Sequence, residues 1–145
     1  MTRVREEVTI AAPAEKVWQV VHEDLRSASK WNPQLKRATP VGDHTGKGAR
    51  VRYDLQLPGW SGSLEVEHTT WRPGKKAAGR FTDGPLKGTW SYTYSERASA
   101  TRLVYEMDYQ MGGLLRFAGG LLAAQYAAGI AEALRRLKKY VESKK

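Results

Sequence analysis

The last third of the chain, GGLLRFAGGLLAAQYAAGIAEALRRLKKYVESKK from Gly112 to Lys145, constrains the possible fold more than any other stretch. No proline interrupts it, and it is rich in alanine and leucine, the strongest helix formers. As one helix it would be roughly 50 Å long. From Gly112 to Ile130 it is almost wholly apolar or small, with Arg116 and Gln125 the clear exceptions. Beyond that it is amphipathic. Tyr126, Ile130, Leu134, Leu137 and Val141 fall on one face at steps of three and four, and cations gather at the C-terminal end, where they complement the helix dipole. Such a helix needs an apolar partner surface. A membrane is the poorer partner, because the apolar run is barely long enough, rich in glycine, and contains Arg116. Each glycine costs about 1 kcal/mol relative to alanine in a helix interior. Gly112 and Gly113 suit the entering turn. Gly119 and Gly120 suit a place where something lies against the helix, or close packing or a kink.

The partner surface is legible upstream. Residues 3–10 alternate, with Val4, Glu6, Val8 and Ile10 on one side. Ala11-Ala12-Pro13 ends that strand, and Pro13 suits a helix start. Val17, Trp18, Val20 and Val21 give the helix over 13–22 its apolar face. A second short helix is expected over 24–29, ended by Trp31-Asn32-Pro33. Six more strands follow. Residues 35–41 form one, and Pro40 marks it as an edge. Residues 48–57 place Tyr53 among inward residues, and 63–71 place His68 inward. Residues 76–82 form the next. In 88–96, Trp90, Tyr92 and Tyr94 share a face, as do Leu103, Tyr105, Met107 and Tyr109 in 101–111. Short turns between strands imply an antiparallel meander with one wet face. The expectation is an α+β fold in one domain over 1–145: a curved antiparallel sheet of about seven strands wrapped around the long C-terminal helix, with two short helices after the first strand.

Charge and motifs narrow the function. The net charge of +9 raises nucleic acid or an anionic membrane as partners. The basic residues are scattered among acidic ones until the final dozen residues, so a solvated helix end is the simpler reading. No nucleic-acid partner is expected, and a transient membrane-surface contact is left to the basic end. The chain has no cysteine, which excludes thiolate chemistry and disulfides. The charged N-terminus lacks the apolar core of a signal peptide, so the expected location is cytoplasmic. Three separated histidines without carboxylates at ligand spacing give no metal motif. No phosphate loop, dinucleotide fingerprint or nucleophile elbow occurs, and no cofactor is expected. Glu65 and Glu67 lie on the outward face, where cross-strand pairing with Arg50 or Arg52 accounts for them.

The opening VTIAAPAEKVWQVV, the KWNP after the second short helix, the meander and the final helix together resemble the START-like (SRPBCC) superfamily, the helix-grip fold. Within it the chain looks most like the polyketide cyclase/dehydrase and lipid-transport-like group. The resemblance covers nearly the whole chain. It implies a cavity between sheet and helix, and a small hydrophobic or amphipathic ligand, such as a lipid or polyketide-like molecule.

On that reading, Tyr53, His68, Trp90, Tyr92, Tyr105 and Tyr109 line the cavity from the sheet, and Phe117, Leu121 and Tyr126 line it from the helix. Several tyrosines on an apolar face make a greasy site with polar points. A filled core fits the same pattern. Trp31, Leu57, Trp60 and Leu86 are assigned to the cavity mouth, where ordinary loop packing is the alternative. His68 is the candidate catalytic residue, able to move protons near neutrality, although a satisfied core histidine is the simpler reading. His22 and His44 read as helix-end and turn residues. Three functions follow: a ligand-binding or transport protein; a cofactor-independent aromatase/cyclase-type enzyme using the same cavity; or a protein- or membrane-docking module using the basic helix end.

Overall fold

The computed structural model describes residues 2–57, 60–84, 86–111 and 119–144; for 2, 57, 60, 111 and 119–127 it describes the backbone. Strand β1 (Thr2–Ile10) leads into helix α1 (Ala14–Trp18), which continues as a π-helical turn over Gln19–Glu23. A 3₁₀ turn (Leu25–Ser27) enters helix α2 (Ala28–Trp31). Six strands follow: β2 (Leu35–Val41), β3 (Arg50–Leu57), β4 (Trp60–Arg72), β5 (Lys76–Asp83), β6 (Leu86–Arg97) and β7 (Ala100–Met111). Helix α3 (Gly119–Glu142) closes the chain. The seven strands form one antiparallel sheet in the order β1-β7-β6-β5-β4-β3-β2. The meander is consecutive from β2 to β7, and β1 joins its far side by pairing with β7. The sheet curls as a half-barrel, and its inner face packs with α3 and the short helices around one core.

The alternation sets that core. Val51 and Leu55 of β3, Leu64 and Val66 of β4, Trp90 and Tyr94 of β6, and Leu103, Tyr105, Met107 and Tyr109 of β7 are buried. The amphipathic half of α3 meets them with Ile130, Leu134, Leu137 and Val141, joined by Ala133. The outward face carries the charges. Arg50 reaches Glu65 at 3.7 Å and Glu67 at 3.6 Å, and Arg80 reaches Glu67 at 3.0 Å. β2 is an edge strand, as Pro40 predicts.

The structure moves several expected boundaries. Trp31 is the last residue of α2 and is buried, whereas the sequence placed it after the second helix. Trp60 opens β4 and pairs with Leu57, instead of sitting at a loop tip. Leu86 opens β6 opposite Met111 and is buried. For Trp60 and Leu86, cross-strand pairing extends the strand beyond where alternation ends. The expected helix start over 112–118, including Phe117, lies outside the described residues.

Three side-chain-to-backbone contacts tie α1 and α3 into this scaffold. α1 begins after Pro13, whose side chain cannot cap, and Glu96 on β6 accepts the Ala14 N–H at 2.7 Å instead. Near the C-terminal end, Lys138 of α3 donates to the Thr9 carbonyl at 2.9 Å, and Glu142 accepts the Ala11 N–H at 2.8 Å. Lys138 and Glu142 also pair with each other at 2.6 Å. Together they clamp the helix to the end of β1.

Candidate functional site

Between the π-helical turn after α1, α2, the sheet and α3 lies a cavity of about 80 Å³. Its wall has an aromatic part from the sheet: Tyr53 on β3, Phe81 on β5, Trp90 and Tyr92 on β6, and Tyr105 on β7. Tyr92 and Tyr105 are cross-strand partners with ring centroids 4.7 Å apart. Trp90 lies across Gly79, its partner on β5; a Cβ at position 79 would fall 2.5 Å from the indole ring, so glycine is what lets the tryptophan lie there. The short helices add Val21, His22, Leu25, Ala28 and Trp31, and α3 adds Ile130, Ala133 and Leu134. Asn32 and Gln34 supply amides. Among the described lining residues there is no Asp, Glu, Lys or Arg.

Gln34 explains a feature of the helix opposite. Gly129 sits mid-helix, where glycine is costly. A Cβ there would lie 2.0 Å from Gln34 Nε2 and 2.3 Å from its Cδ. The buried Gln34 side chain crosses α3 through the gap that Gly129 leaves. Gly119 and Gly120 open the described part of α3; what they face lies outside the described residues.

His22 is the residue the sequence reading missed. The π-helical turn carries it to the cavity wall, where its ring stacks on Trp18 at 4.3 Å and meets Tyr92 edge-on at 5.0 Å. Its Nε2 lies 2.7 Å from the Tyr94 hydroxyl. Desolvation, with His68 nearby, pushes its pKa down to about 3, so the ring is neutral at ordinary pH. Burial raises the Tyr94 phenol well above its usual range, and raises Tyr53 to about 12. No motif flags His22. The available signal was its position four residues after Trp18, on the apolar side of a helix.

The other expected site residues are distributed as follows. Tyr53, Trp90, Tyr92, Tyr105 and Trp31 are in the cavity wall. His68 is buried on the inner face but is not part of that wall. It stands edge-on to Trp71 at 5.1 Å and Trp90 at 5.2 Å, with Nδ1 3.3 Å from the Ala49 carbonyl; burial lowers its pKa. Tyr109 and Leu86 are buried elsewhere in the core. Phe117 and the side chains of Leu121, Tyr126, Leu57 and Trp60 lie outside the described residues. His44 is an exposed turn residue bonded to the Lys47 carbonyl. Among the described residues no group of three or more His, Asp or Glu could hold a metal, and no helix is long and apolar enough to cross a membrane.

The basic end of α3 is largely engaged within the chain. Arg135 and Arg136 pair with Glu132, and Lys144 sits 4.7 Å over the Tyr140 ring.

Comparison with known proteins follows the same geometry. No curated protein matches the chain. Among solved structures, a Thermus thermophilus protein superposes with a TM-score of 0.84 at 17% identity, covering 99% of both chains. The Zhui aromatase/cyclase from a Streptomyces species superposes with a TM-score of 0.81 at 18% identity, covering 99% of this chain and 94% of its own. A START superfamily protein from Mycobacterium smegmatis gives 0.68 at 17% identity over 93% and 98%. These likenesses establish the helix-grip fold. The sequence profile described as "Polyketide cyclase / dehydrase and lipid transport" matches residues 1–142, and the chain belongs to that family.

Proposed function

We propose that this protein binds a small hydrophobic or amphipathic ligand, such as a lipid or polyketide-like molecule, between its sheet and α3. The observation that carries the reading is the cavity wall: aromatic and aliphatic side chains, a few amides and hydroxyls, and no charged group among the described lining residues. Tyr53, Trp90, Tyr92 and Tyr105 are its contacts from the sheet. A lipid-length occupant is several times larger than the present cavity, so its binding requires the cavity to widen. Native mass spectrometry of freshly expressed protein tests this. A noncovalent adduct lost on denaturation supports it. The bare chain mass, with no change in tryptophan emission on titration with a neutral naphthyl dye, would sink it.

A second reading is favoured by the His22–Tyr94 contact at the cavity: a cofactor-independent aromatase/cyclase-type enzyme. A neutral imidazole hydrogen-bonded to a phenol can relay a proton to or from an enolisable ketone. This reading predicts turnover of a poly-β-ketone analogue that is abolished in His22→Phe, a loss far beyond the roughly tenfold that one missing hydrogen bond takes from binding. Loss in His68→Ala alone would return the role to His68.

A further inference from the structure

The Tyr94–His22 hydrogen bond fixes more than a distance. Tyr94 is buried, and His22 Nε2 is the one acceptor its hydroxyl meets among the described residues. If Nε2 carried the imidazole proton, the phenolic hydrogen would be buried without an acceptor, which costs more than the alternative tautomer. Tyr94 therefore donates, Nε2 accepts, and the single proton of the neutral ring sits on Nδ1. No described residue bonds to Nδ1.

Two further donors point the same way. The indole N–H groups of Trp31 and Trp90 are buried without a partner among the described residues, and both rings belong to the cavity wall. Among the described residues, the wall thus offers neutral donors and no cation. Such a surface stabilises an uncharged acceptor oxygen. It offers a carboxylate no charge to offset its desolvation.

We propose that the cavity takes an uncharged ring compound bearing a carbonyl oxygen, with His22 Nδ1–H as its donor and Tyr94 as the residue that positions that donor. This rests on the ligand-binding reading above. It adds the chemical class of the ligand and the residue that selects it.

Three single-ring probes of matched shape test the proposal: acetophenone, ethylbenzene and benzoate, titrated against the full chain by tryptophan fluorescence. Acetophenone is expected to bind about tenfold more tightly than either of the others, the factor for one good hydrogen bond. In His22→Phe that preference should shrink to about twofold or less. Equal binding of acetophenone and ethylbenzene by the wild-type chain, a preference for benzoate, or a ketone preference that survives in His22→Phe would each overturn it. If none of the three probes binds, the ligand-binding reading fails first, which is a different result. The tautomer is checked without any ligand. Long-range proton–nitrogen NMR of histidine-labelled protein should show His22 protonated at Nδ1, shifting towards the Nε2–H form in Tyr94→Phe. An Nε2–H signal in the wild-type chain overturns the assignment even if His22→Phe fails to fold.

Discussion

His22 makes the fold acid-sensitive, and the direction follows from its pKa. The folded value of about 3 lies below the ordinary 6.5, so the unfolded chain binds the proton more tightly. The stability His22 permits is complete above pH 6.5 and is lost as pH falls from there towards 3. At pH 5 the loss from this one residue is about 2 kcal/mol. His68, also lowered by burial, acts in the same direction. Urea unfolding at pH 7 and pH 5 should show the difference, and His22→Phe should flatten it; an unchanged slope in the variant would remove His22 as the cause. A second residue-scale feature is the β6–β7 turn. Its two central residues, Ala98 and Ser99, have φ of 54° and 66°. Two-residue hairpin turns of this hand favour Asn-Gly, and side chains such as alanine's pay about 1 kcal/mol each there. Ala98→Asn with Ser99→Gly should raise stability by about 1–2 kcal/mol, read as a higher melting temperature. Alternation on either side places this turn, but Arg97-Ala98-Ser99-Ala100 lacks the Asn or Gly that its left-handed backbone favours.

At the level of elements, α3 and the α2–β2 connection are interlocked through Gln34 and Gly129. Gly129→Ala gains about 1 kcal/mol of helix propensity in isolation. In the protein it should instead destabilise by about 1 kcal/mol, since the new methyl displaces Gln34. In a Gln34→Ala background the same change should stabilise. A double-mutant cycle by denaturant unfolding measures the coupling, and additive effects would mean the two side chains do not compete for the space. α1 depends on a distant residue in a comparable way. Glu96→Ala removes the carboxylate that caps Ala14 and should cost about 1 kcal/mol. These contacts show why the sequence disclosed the elements better than their joints. Period-two and period-four patterns are local, so the strands and the apolar stripe of α3 could be read directly. The partners of Gly129 and Ala14 stand far away along the chain, and no local pattern encodes them. His22 was overlooked for the same reason: its role comes from Tyr94, 72 residues downstream.

For the whole molecule, charge and shape separate cleanly. Arginine and carboxylate pairs cover the outer face of the sheet, and each exposed pair is worth at most about 1 kcal/mol. At the basic end of α3, Arg135, Arg136, Lys138 and Lys144 already have partners within the chain. Any attraction to anionic vesicles should therefore be weak and fall away by about 0.5 M salt. Sedimentation with phosphatidylserine vesicles checks this, and retention at high salt would argue for apolar insertion instead. The helix-grip architecture was legible because one long helix and seven alternating strands leave few ways to bury both apolar faces. The cavity was less legible, because the same inward aromatic positions serve a filled core or a lined void, and only packing distinguishes them. The clamp between α3 and the end of β1 has a further consequence. An open sheet has two edges at which a second chain could add a strand and begin a fibre. At the β1 edge, Lys138 and Glu142 already occupy the Thr9 carbonyl and the Ala11 amide. The β2 edge presents Lys36, Arg37 and Pro40, all exposed and all hostile to strand addition. Strand addition is thus disfavoured at the β2 edge and at the C-terminal end of β1, and the α3 end that packs on the core also supplies the second of these obstacles.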